Sequence, residues 1–306
     1  MARVRSFARR LLNSPVPVVA LVACAGQAPA GDAARVDDWG RTLALAAPAR
    51  RIVSLSPSTT EIVFALGLGG RLVGRTTWCD YPAAARAVPD VGTGMEPNVE
   101  AVAARRPDLV LLYASPANRP AADRLASLGI AVAGLTLDRA RDVRRAARLI
   151  GALAGASRAA DSLVAAFDSS LSAARAFAAP GAAGPRLRLY VHVWADPPVT
   201  VGRGSYLDEI LRFAGADNVF GDLAASSATV SLESVVSRDP DAIVVLVGDT
   251  SAGPPDLSAR AAWRAVRAVR EGRYLVLDGS LYGRPSPRVP LAVRDLSGRL
   301  LRLAAR

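Results

Sequence analysis

Two stretches of the chain, residues 98–112 and 231–245, have nearly the same sequence at a separation of 133 residues. Aligned without a gap, they share five identities: Glu100/Glu233, Val102/Val235, Arg105/Arg238, Pro107/Pro240 and Asp108/Asp241. Each copy has the pattern of a short amphipathic helix, a Pro-Asp turn and a buried parallel strand. Short tandem repeats predict solenoids, whereas two distant copies predict two similar lobes. The alternative is that α/β proteins reuse this unit freely and the identities arose by chance.

The composition predicts two folded domains and no nucleic-acid partner. A chain of 306 residues can form two cores, and 51% hydrophobic residues exclude disorder. The net charge of +11 comes entirely from arginine, because the sequence contains no lysine. These arginines spread over predicted helix faces such as 139–148 and 264–273. Nucleic-acid binding would instead favour clustered basic residues with interleaved aromatic ones.

The first 24 residues have the pattern of a secretory signal. A basic start precedes an apolar segment, residues 11–22, that is too short to span a membrane. The ending Leu21-Val22-Ala23-Cys24 resembles the bacterial lipobox, in which the cysteine is lipidated and becomes the first mature residue. The other interpretation is an ordinary signal cleaved near Ala28 or Ala30, which would remove Cys24. Both place the mature protein in the periplasm or cell envelope, and the first adds a lipid anchor in the membrane.

Composition and periodicity divide the chain into a signal (1–24), a tether (25–49), a first α/β lobe (50–137), a bridging helix (138–180) and a second α/β lobe (185–306). Gly151 and Gly155 suggest a kink or slight break in the helical segment. One helix of about 40 residues would run about 60 Å, which suits a backbone that crosses between two lobes. The predicted fold class is α/β, with two lobes that are each a mostly parallel sheet with covering helices, joined by one long backbone helix.

Several elements have distinct predicted boundaries: strands at 109–113 and 131–135, helices at 206–213 and 261–270, and a small strand or hairpin near 39–45.

The chain has one histidine, His192, and two cysteines, Cys24 and Cys79. This count excludes a disulfide framework and a His-rich metal site, and we predict no metal ligands. A lone histidine on a strand is more often packed or solvated than a ligand. If Cys24 is lipidated, Cys79 has no disulfide partner.

The chain resembles the periplasmic solute-binding proteins with a helical backbone. The resemblance lies in three segments that follow in that family's order: residues 52–74, the loop Trp78 to Pro82, and the first repeat. These proteins serve importers of cobalamin, haem and iron–siderophore complexes. The resemblance covers about residues 50–305. It is greatest to the cobalamin binders, which share three loops: Asp80-Tyr81-Pro82, Asp196-Pro197-Pro198 and Ser286-Pro287-Arg288. It implies a monomeric carrier with a ligand cleft between rigidly joined lobes.

The resemblance also implies that Glu100 and Glu233 dock the protein onto arginines of an ABC-importer permease. Two exposed carboxylates on matching helix starts would give a two-point electrostatic register. The alternative is that each glutamate is only an acid in the first turn of a helix, where the macrodipole favours it.

Aromatic side chains follow the predicted strand ends, where ligands of open α/β sheets bind. They are Trp78, Tyr81, Tyr113, Trp194 and Tyr282, in a chain with only 5% aromatic residues. In the cobalamin binders aromatic residues occupy the places of all of these but Tyr81, and such walls suit the apolar plane of a corrin or porphyrin. The sequence departs at Gly94-Met95, where those proteins can carry a tryptophan. The alternative for each aromatic residue is core or edge packing.

The expected ligand is cobalamin or a related corrinoid, and the alternative is haem or a ferric siderophore. Arg284 and Arg288 either bind carboxylates or amides of the ligand or lie in solvent. A haem iron would require a ligand such as Tyr81 or His192. The chain is expected to carry cargo and to have no cofactor of its own.

Two other classes of protein are less consistent with the sequence. An extracytoplasmic enzyme would need reactive groups, yet the sequence has no Gly-x-Ser-x-Gly, no P-loop and no metal cluster. A single histidine leaves little acid–base chemistry, so we predict no catalytic residues. A receptor without a transport role would keep the fold and the ligand but would not need Glu100 and Glu233 for uptake.

Overall fold

The chain after residue 34 begins with a four-stranded parallel sheet. In this computed structural model, residues 35–178 and 186–305 are described. The strands are β1 (Ile52–Ser54), β2 (Leu72–Arg75), β3 (Leu109–Tyr113) and β4 (Ala131–Leu135), in the order β2-β1-β3-β4. The helices are α1 (Pro57–Ala65), α2 (Val99–Ala104) and α3 (Arg119–Ser127). We call residues 35–137 the N-lobe.

Two helices follow β4: α4 (Ala140–Leu153) and α5 (Ser157–Ala178). The prediction of one helix over 138–180 is therefore wrong in its extent. Gly155, at a φ of +67°, lies in the left-handed region that favours glycine, and the chain reverses there. Ion pairs join the helices in antiparallel order: Arg144 with Asp168, and Arg148 with Asp161. The long backbone helix is α5 alone, and its 22 residues span about 33 Å.

The second lobe, which we call the C-lobe (residues 186–305), has a parallel sheet and a small antiparallel one. Its strands are β5 (Arg188–His192), β6 (Trp194–Ala195), β7 (Pro198–Val201), β8 (Asp217–Asn218), β9 (Ser227–Thr229), β10 (Ala242–Val247) and β11 (Tyr274–Asp278). The parallel sheet has the order β11-β10-β5-β8, and the antiparallel one has the order β6-β7-β9. The helices are α6 (Tyr206–Phe213), α7 (Leu232–Arg238), α8 (Arg267–Arg270), α9 (Gly279–Tyr282) and α10 (Val289–Ala304).

One hydrophobic core is continuous through both lobes. It includes Leu111 of β3, Ile150 of α4, Phe167 of α5, Val244 of β10 and Leu300 of α10. The opposite faces of the two sheets are buried in separate clusters. Each parallel sheet is therefore covered on both sides, as such sheets require. A shared core also fixes the relation between the lobes more firmly than a flexible linker would.

The predicted tether is too long. Its described part, residues 35–49, belongs to the N-lobe: Ala49 is fully buried, and Asp37 accepts hydrogen bonds from Arg41 and from the backbone N–H of Gly134. In place of the predicted hairpin near 39–45, a single antiparallel bridge joins Val36 and Thr42.

Other predicted elements differ in length. The predicted helix over 261–270 is a 3₁₀ turn, Ala261–Ala265, followed by α8. The signal, Cys24 and the first part of the tether lie outside the described residues.

Candidate functional site

The repeated glutamates lie in the first turns of α2 and α7, and the two helices are capped alike. The Asn98 side chain accepts a hydrogen bond of 2.8 Å from the backbone N–H three residues on, and the Ser231 hydroxyl does the same at 3.1 Å. Both satisfy an N–H group that a helix start leaves unpaired. Glu100 and Glu233 are both exposed. Within residues 35–178 and 186–305, neither carboxylate forms an ion pair.

The Pro-Asp turns of the two copies also share their backbone geometry. The residues before the prolines, Arg106 and Asp239, have φ values of +49° and +37°, and no other described residues except glycines have positive φ. Asp108 then accepts hydrogen bonds from the backbone just before β1, and Asp241 accepts one from the first residue of β5. The repeat is thus one structural unit built twice, which favours a common origin over chance identity.

A cavity of about 440 Å³ lies at the carboxyl ends of β1 and β3. We call it the N-lobe cavity, and its lining includes Leu55, Thr76, Trp78, Met95, Tyr113 and Asn118. Trp78 is 65% exposed, so the indole is available to a ligand. The Tyr113 hydroxyl donates to Asp138 at 2.8 Å. Burial and this hydrogen bond raise the pKa of Tyr113 to about 12, so its hydroxyl stays protonated near neutrality.

Met95 lies where the cobalamin binders can carry an aromatic residue, and it is 83% exposed on the rim of this cavity. Its flexible thioether can adapt to an apolar surface. The neighbouring Gly94 is required by packing, because an added Cβ would lie 1.9 Å from the Leu55 carbonyl oxygen. The loop therefore passes close to β1 and presents Met95 outward.

A second cavity of about 250 Å³ lies at the carboxyl ends of β5 and β10. We call it the C-lobe cavity, and its lining includes Val191, His192, Ser205, Tyr206, Tyr282 and Gly283. The Nδ1 atom of His192 and the hydroxyl of Tyr206 are buried without a hydrogen-bond partner among the described residues. Burial, with a contribution from Arg260, lowers the pKa of His192. The imidazole is therefore neutral at pH 7.

The two remaining C-lobe aromatic candidates differ in exposure. Trp194 is 63% exposed, and its indole N–H donates to the carbonyl of Asp196 at 3.0 Å. Tyr282 is only 1% exposed, and its hydroxyl donates to Asp295 at 2.5 Å. Tyr282 therefore packs against the shared core while it lines the C-lobe cavity, and its role in ligand binding stays a prediction.

Arg288 is engaged between the lobes. Its guanidinium donates two hydrogen bonds, of 2.8 and 2.5 Å, to Glu61 of α1, which is 3% exposed. It also lies 3.9 Å from the ring centroid of Tyr81, a cation–π contact. Arg284 donates to Asp80 and to the Trp78 carbonyl. These contacts join the lobes and place the Trp78–Tyr81 loop beside the C-lobe, so neither arginine is simply solvated. A ligand contact by either arginine stays a prediction.

Cys79 is buried in a small polar cluster, where its sulfur is 3.1 Å from both the Thr60 and the Thr76 hydroxyl oxygens. It forms no disulfide within the described chain. Those same residues contain no group of histidine, cysteine and acidic side chains that could hold a metal ion. No helix among them is long and apolar enough to cross a membrane.

A family profile described as Periplasmic binding protein matches residues 52–281. The chain belongs to the periplasmic binding protein family. It is 34% identical over 254 residues to the uncharacterized ABC transporter substrate-binding lipoprotein YvrC of Bacillus subtilis, with 81% of this chain and 79% of YvrC covered. It is 26% identical over 265 residues to a vitamin B12-binding protein of Pectobacterium carotovorum, with 86% and 92% covered.

A solved structure, periplasmic heme-binding protein BhuT in complex with two hemes, matches this periplasmic binding protein with a TM-score of 0.74 and 27% identity, covering 84% of this chain and all of BhuT. These likenesses confirm the family resemblance and the two-lobed α/β fold class.

Asn118 and Glu61 belong to the candidate site and were not predicted from the sequence. Asn118 follows the end of β3 by five residues, a position that the strand-end rule covers. Glu61 has no local signal, because its partner Arg288 is 227 residues away in the chain.

Proposed function

We propose that this periplasmic binding protein carries a corrinoid, cobalamin or a close relative, between its lobes and delivers it to an ABC-importer permease. The observation that supports this most is the pair of exposed tryptophans, Trp78 and Trp194, at strand ends of opposite lobes. A corrin ring presents a broad apolar plane with a polar rim, which aromatic walls suit. The vitamin B12-binding relative favours the same ligand class. In this proposal the macrocycle is cargo, and the chain has neither a resident cofactor nor a catalytic residue.

A second candidate ligand is haem, with ferric siderophores in the same class. It is favoured by the unpartnered Nδ1 of His192 and hydroxyl of Tyr206 in the C-lobe cavity, since haem iron binds imidazole or phenolate. The heme-binding likeness to BhuT also supports it. Tyr81 is less suited to iron because Arg288 covers its ring.

Absorbance titration of the purified protein against cyanocobalamin, haemin and ferric siderophores tests this proposal. Submicromolar binding of cyanocobalamin, with weaker binding of the other two groups, is the expected result. Tight binding of haemin alone, with a Soret shift that His192→Ala abolishes, would replace the corrinoid by haem.

Docking on the permease is proposed for Glu100 and Glu233. Both carboxylates are exposed, carry no ion pair among the described residues and lie on two copies of one structural unit. They are therefore available to arginines on a partner.

Uptake of labelled ligand by cells tests the docking role. The variant Glu100→Ala with Glu233→Ala should abolish uptake and leave the dissociation constant of the ligand unchanged. Glu96→Ala is the matched control, because it removes another exposed glutamate near α2 that the repeat lacks. Normal uptake by the double variant would exclude the docking role and would point to a receptor without transport.

Lipidation at Cys24 is proposed as the membrane anchor, and the lipoprotein name of the Bacillus relative supports it. Fractionation of cells that express Cys24→Ser should move the protein from the membrane to the soluble fraction. An unchanged distribution would favour a signal cleaved after Cys24.

A further inference from the structure

The side-chain amide of Asn118 is held in one orientation. Its nitrogen donates hydrogen bonds to two backbone carbonyls, Tyr113 at 3.0 Å and Gly94 at 3.2 Å. A flip of the amide would place its oxygen against both carbonyls and lose both bonds. The oxygen Oδ1 of this residue, which lines the N-lobe cavity, is therefore fixed as an acceptor.

This acceptor has no partner. Asn118 is 2% exposed, and its Oδ1 makes no hydrogen bond to any described residue. Buried polar atoms are rarely left unpaired, and an unpaired one in a residue that lines a cavity is a place where a ligand donor or an ordered water can bind. Because Oδ1 can only accept, the group that completes it must be an N–H or O–H donor.

The other polar groups of the cavity do not favour an anion. The Thr76 hydroxyl is hydrogen-bonded to Cys79, and the Ser115 hydroxyl accepts from the backbone N–H of Asn118. The Ser56 hydroxyl can donate or accept. Among the described residues that line this cavity there is no arginine or histidine, although the chain has 38 arginines. A carboxylate placed here would meet a fixed acceptor and no cation.

We propose that the N-lobe cavity selects macrocycles with carboxamide groups on the rim against those with carboxylates, with Asn118 Oδ1 accepting from the amide N–H. This inference rests on the proposed function and sharpens it. Corrinoids carry primary amides around the ring, whereas haem carries two propionates. Asn118 is then a specificity-determining residue of the carrier.

Matched ligands test the inference on the wild-type protein. We use two acid–amide pairs, each built on one ring. The first is the cyano form of cobyrinic acid and that of its fully amidated derivative, and the second is haem and haem with both propionates amidated. Titration in about 0.5 M NaCl screens the long-range attraction of the basic protein for acids. We expect each amide to bind at least about tenfold tighter than its acid, which corresponds to about 1.4 kcal/mol.

Two variants assign the preference to the residue. In Asn118→Leu, the ratio of the two affinities should fall toward one. In Asn98→Ala the ratio should stay at the wild-type value, because Asn98 is a second asparagine of the same lobe whose oxygen is already bonded in a helix cap. A full preference in folded Asn118→Leu would overturn the role of Asn118.

The remaining outcomes separate this inference from the proposed function. Acids that bind wild type as tightly as amides would overturn the inference and leave the carrier proposal standing. If neither ring binds in either form, the macrocycle proposal fails and the inference fails with it.

Discussion

The N-lobe and C-lobe cavities lie at corresponding strand ends of two similar lobes, yet they offer a ligand different walls. The N-lobe cavity is larger and mostly apolar, and it contains one fixed acceptor at Asn118. The C-lobe cavity is smaller and contains an imidazole and a phenol that can each donate or accept. The repeated unit keeps its caps, its turn and its strand, whereas the residues that line the two cavities differ.

The largest expected effect concerns the Glu61–Arg288 ion pair, which joins the two lobes. Arg288→Met leaves the buried Glu61 carboxylate without its partner, and we expect a loss of about 3–5 kcal/mol in the free energy of unfolding. Adding Glu61→Leu should recover much of this loss, because an unpaired buried charge is then absent. Urea denaturation measures both.

Arg119→Met is the matched control for that ion pair, since it breaks an exposed pair with Asp123 and should cost less than about 1 kcal/mol. Equal losses in the free energy of unfolding for Arg288→Met and Arg119→Met would show that the Glu61–Arg288 ion pair stabilises the fold no more than an exposed ion pair does.

Single tryptophan variants compare the two lobes directly. Trp78 lines the N-lobe cavity, whereas Trp194 lies outside the described lining of the C-lobe cavity. We expect Trp78→Ala to weaken ligand binding by about 2 kcal/mol, roughly 30-fold, and Trp194→Ala by about 1 kcal/mol, roughly fivefold. Titration of each variant with the bound macrocycle measures this, and the reverse order would make the C-lobe the main binding wall.

His192, in the C-lobe, is expected to make the free energy of unfolding fall in mild acid. Its pKa is lowered in the folded chain, so the unfolded chain binds a proton first as the pH falls below about 6.5. Protonation therefore reduces the free energy of unfolding in that range and has no effect well above it. His192→Gln should show a smaller loss of stability between about pH 7.5 and 5.5 than the wild type. Parallel pH profiles would mean that the pKa of His192 is not lowered in the folded chain.

Tyr113→Phe should have the smallest effect. It removes the hydrogen bond to Asp138 and keeps the ring at the N-lobe cavity. We expect a loss of about 1 kcal/mol in the free energy of unfolding and a dissociation constant within about twofold of wild type. A much weaker ligand affinity would show that the Tyr113 hydroxyl, in addition to the ring, contacts the ligand.

Local patterns predicted β3, β4 and α6 with the observed boundaries, because apolar runs and helix caps are encoded within a few neighbouring residues. In the sequence, Gly155 indicated only a kink or slight break in the helical segment. It did not indicate that the chain reverses there, because the antiparallel packing of α4 on α5 depends on contacts between distant residues. The Glu61–Arg288 pair and the burial of Tyr282 also depend on contacts between distant residues, so the sequence did not reveal them. The positions of the predicted strand ends identified Trp78, Tyr113 and Trp194 as candidate site residues, and all three are exposed. The orientation of the Asn118 amide depends on its hydrogen bonds in the folded chain, which the sequence does not show.

The exposed aromatic walls are the centre of the proposed function, and one titration tests them most directly. Wild type, Trp78→Ala with Trp194→Ala, and Phe177→Ala are titrated with cyanocobalamin by absorbance. Phe177 is the control, because it is an exposed aromatic residue on α5, away from any strand end. We predict submicromolar binding by wild type and by Phe177→Ala, and binding about 150-fold weaker, no longer submicromolar, by the double tryptophan variant. Binding of wild-type strength in that folded variant would contradict the proposal that the ligand lies between these two walls.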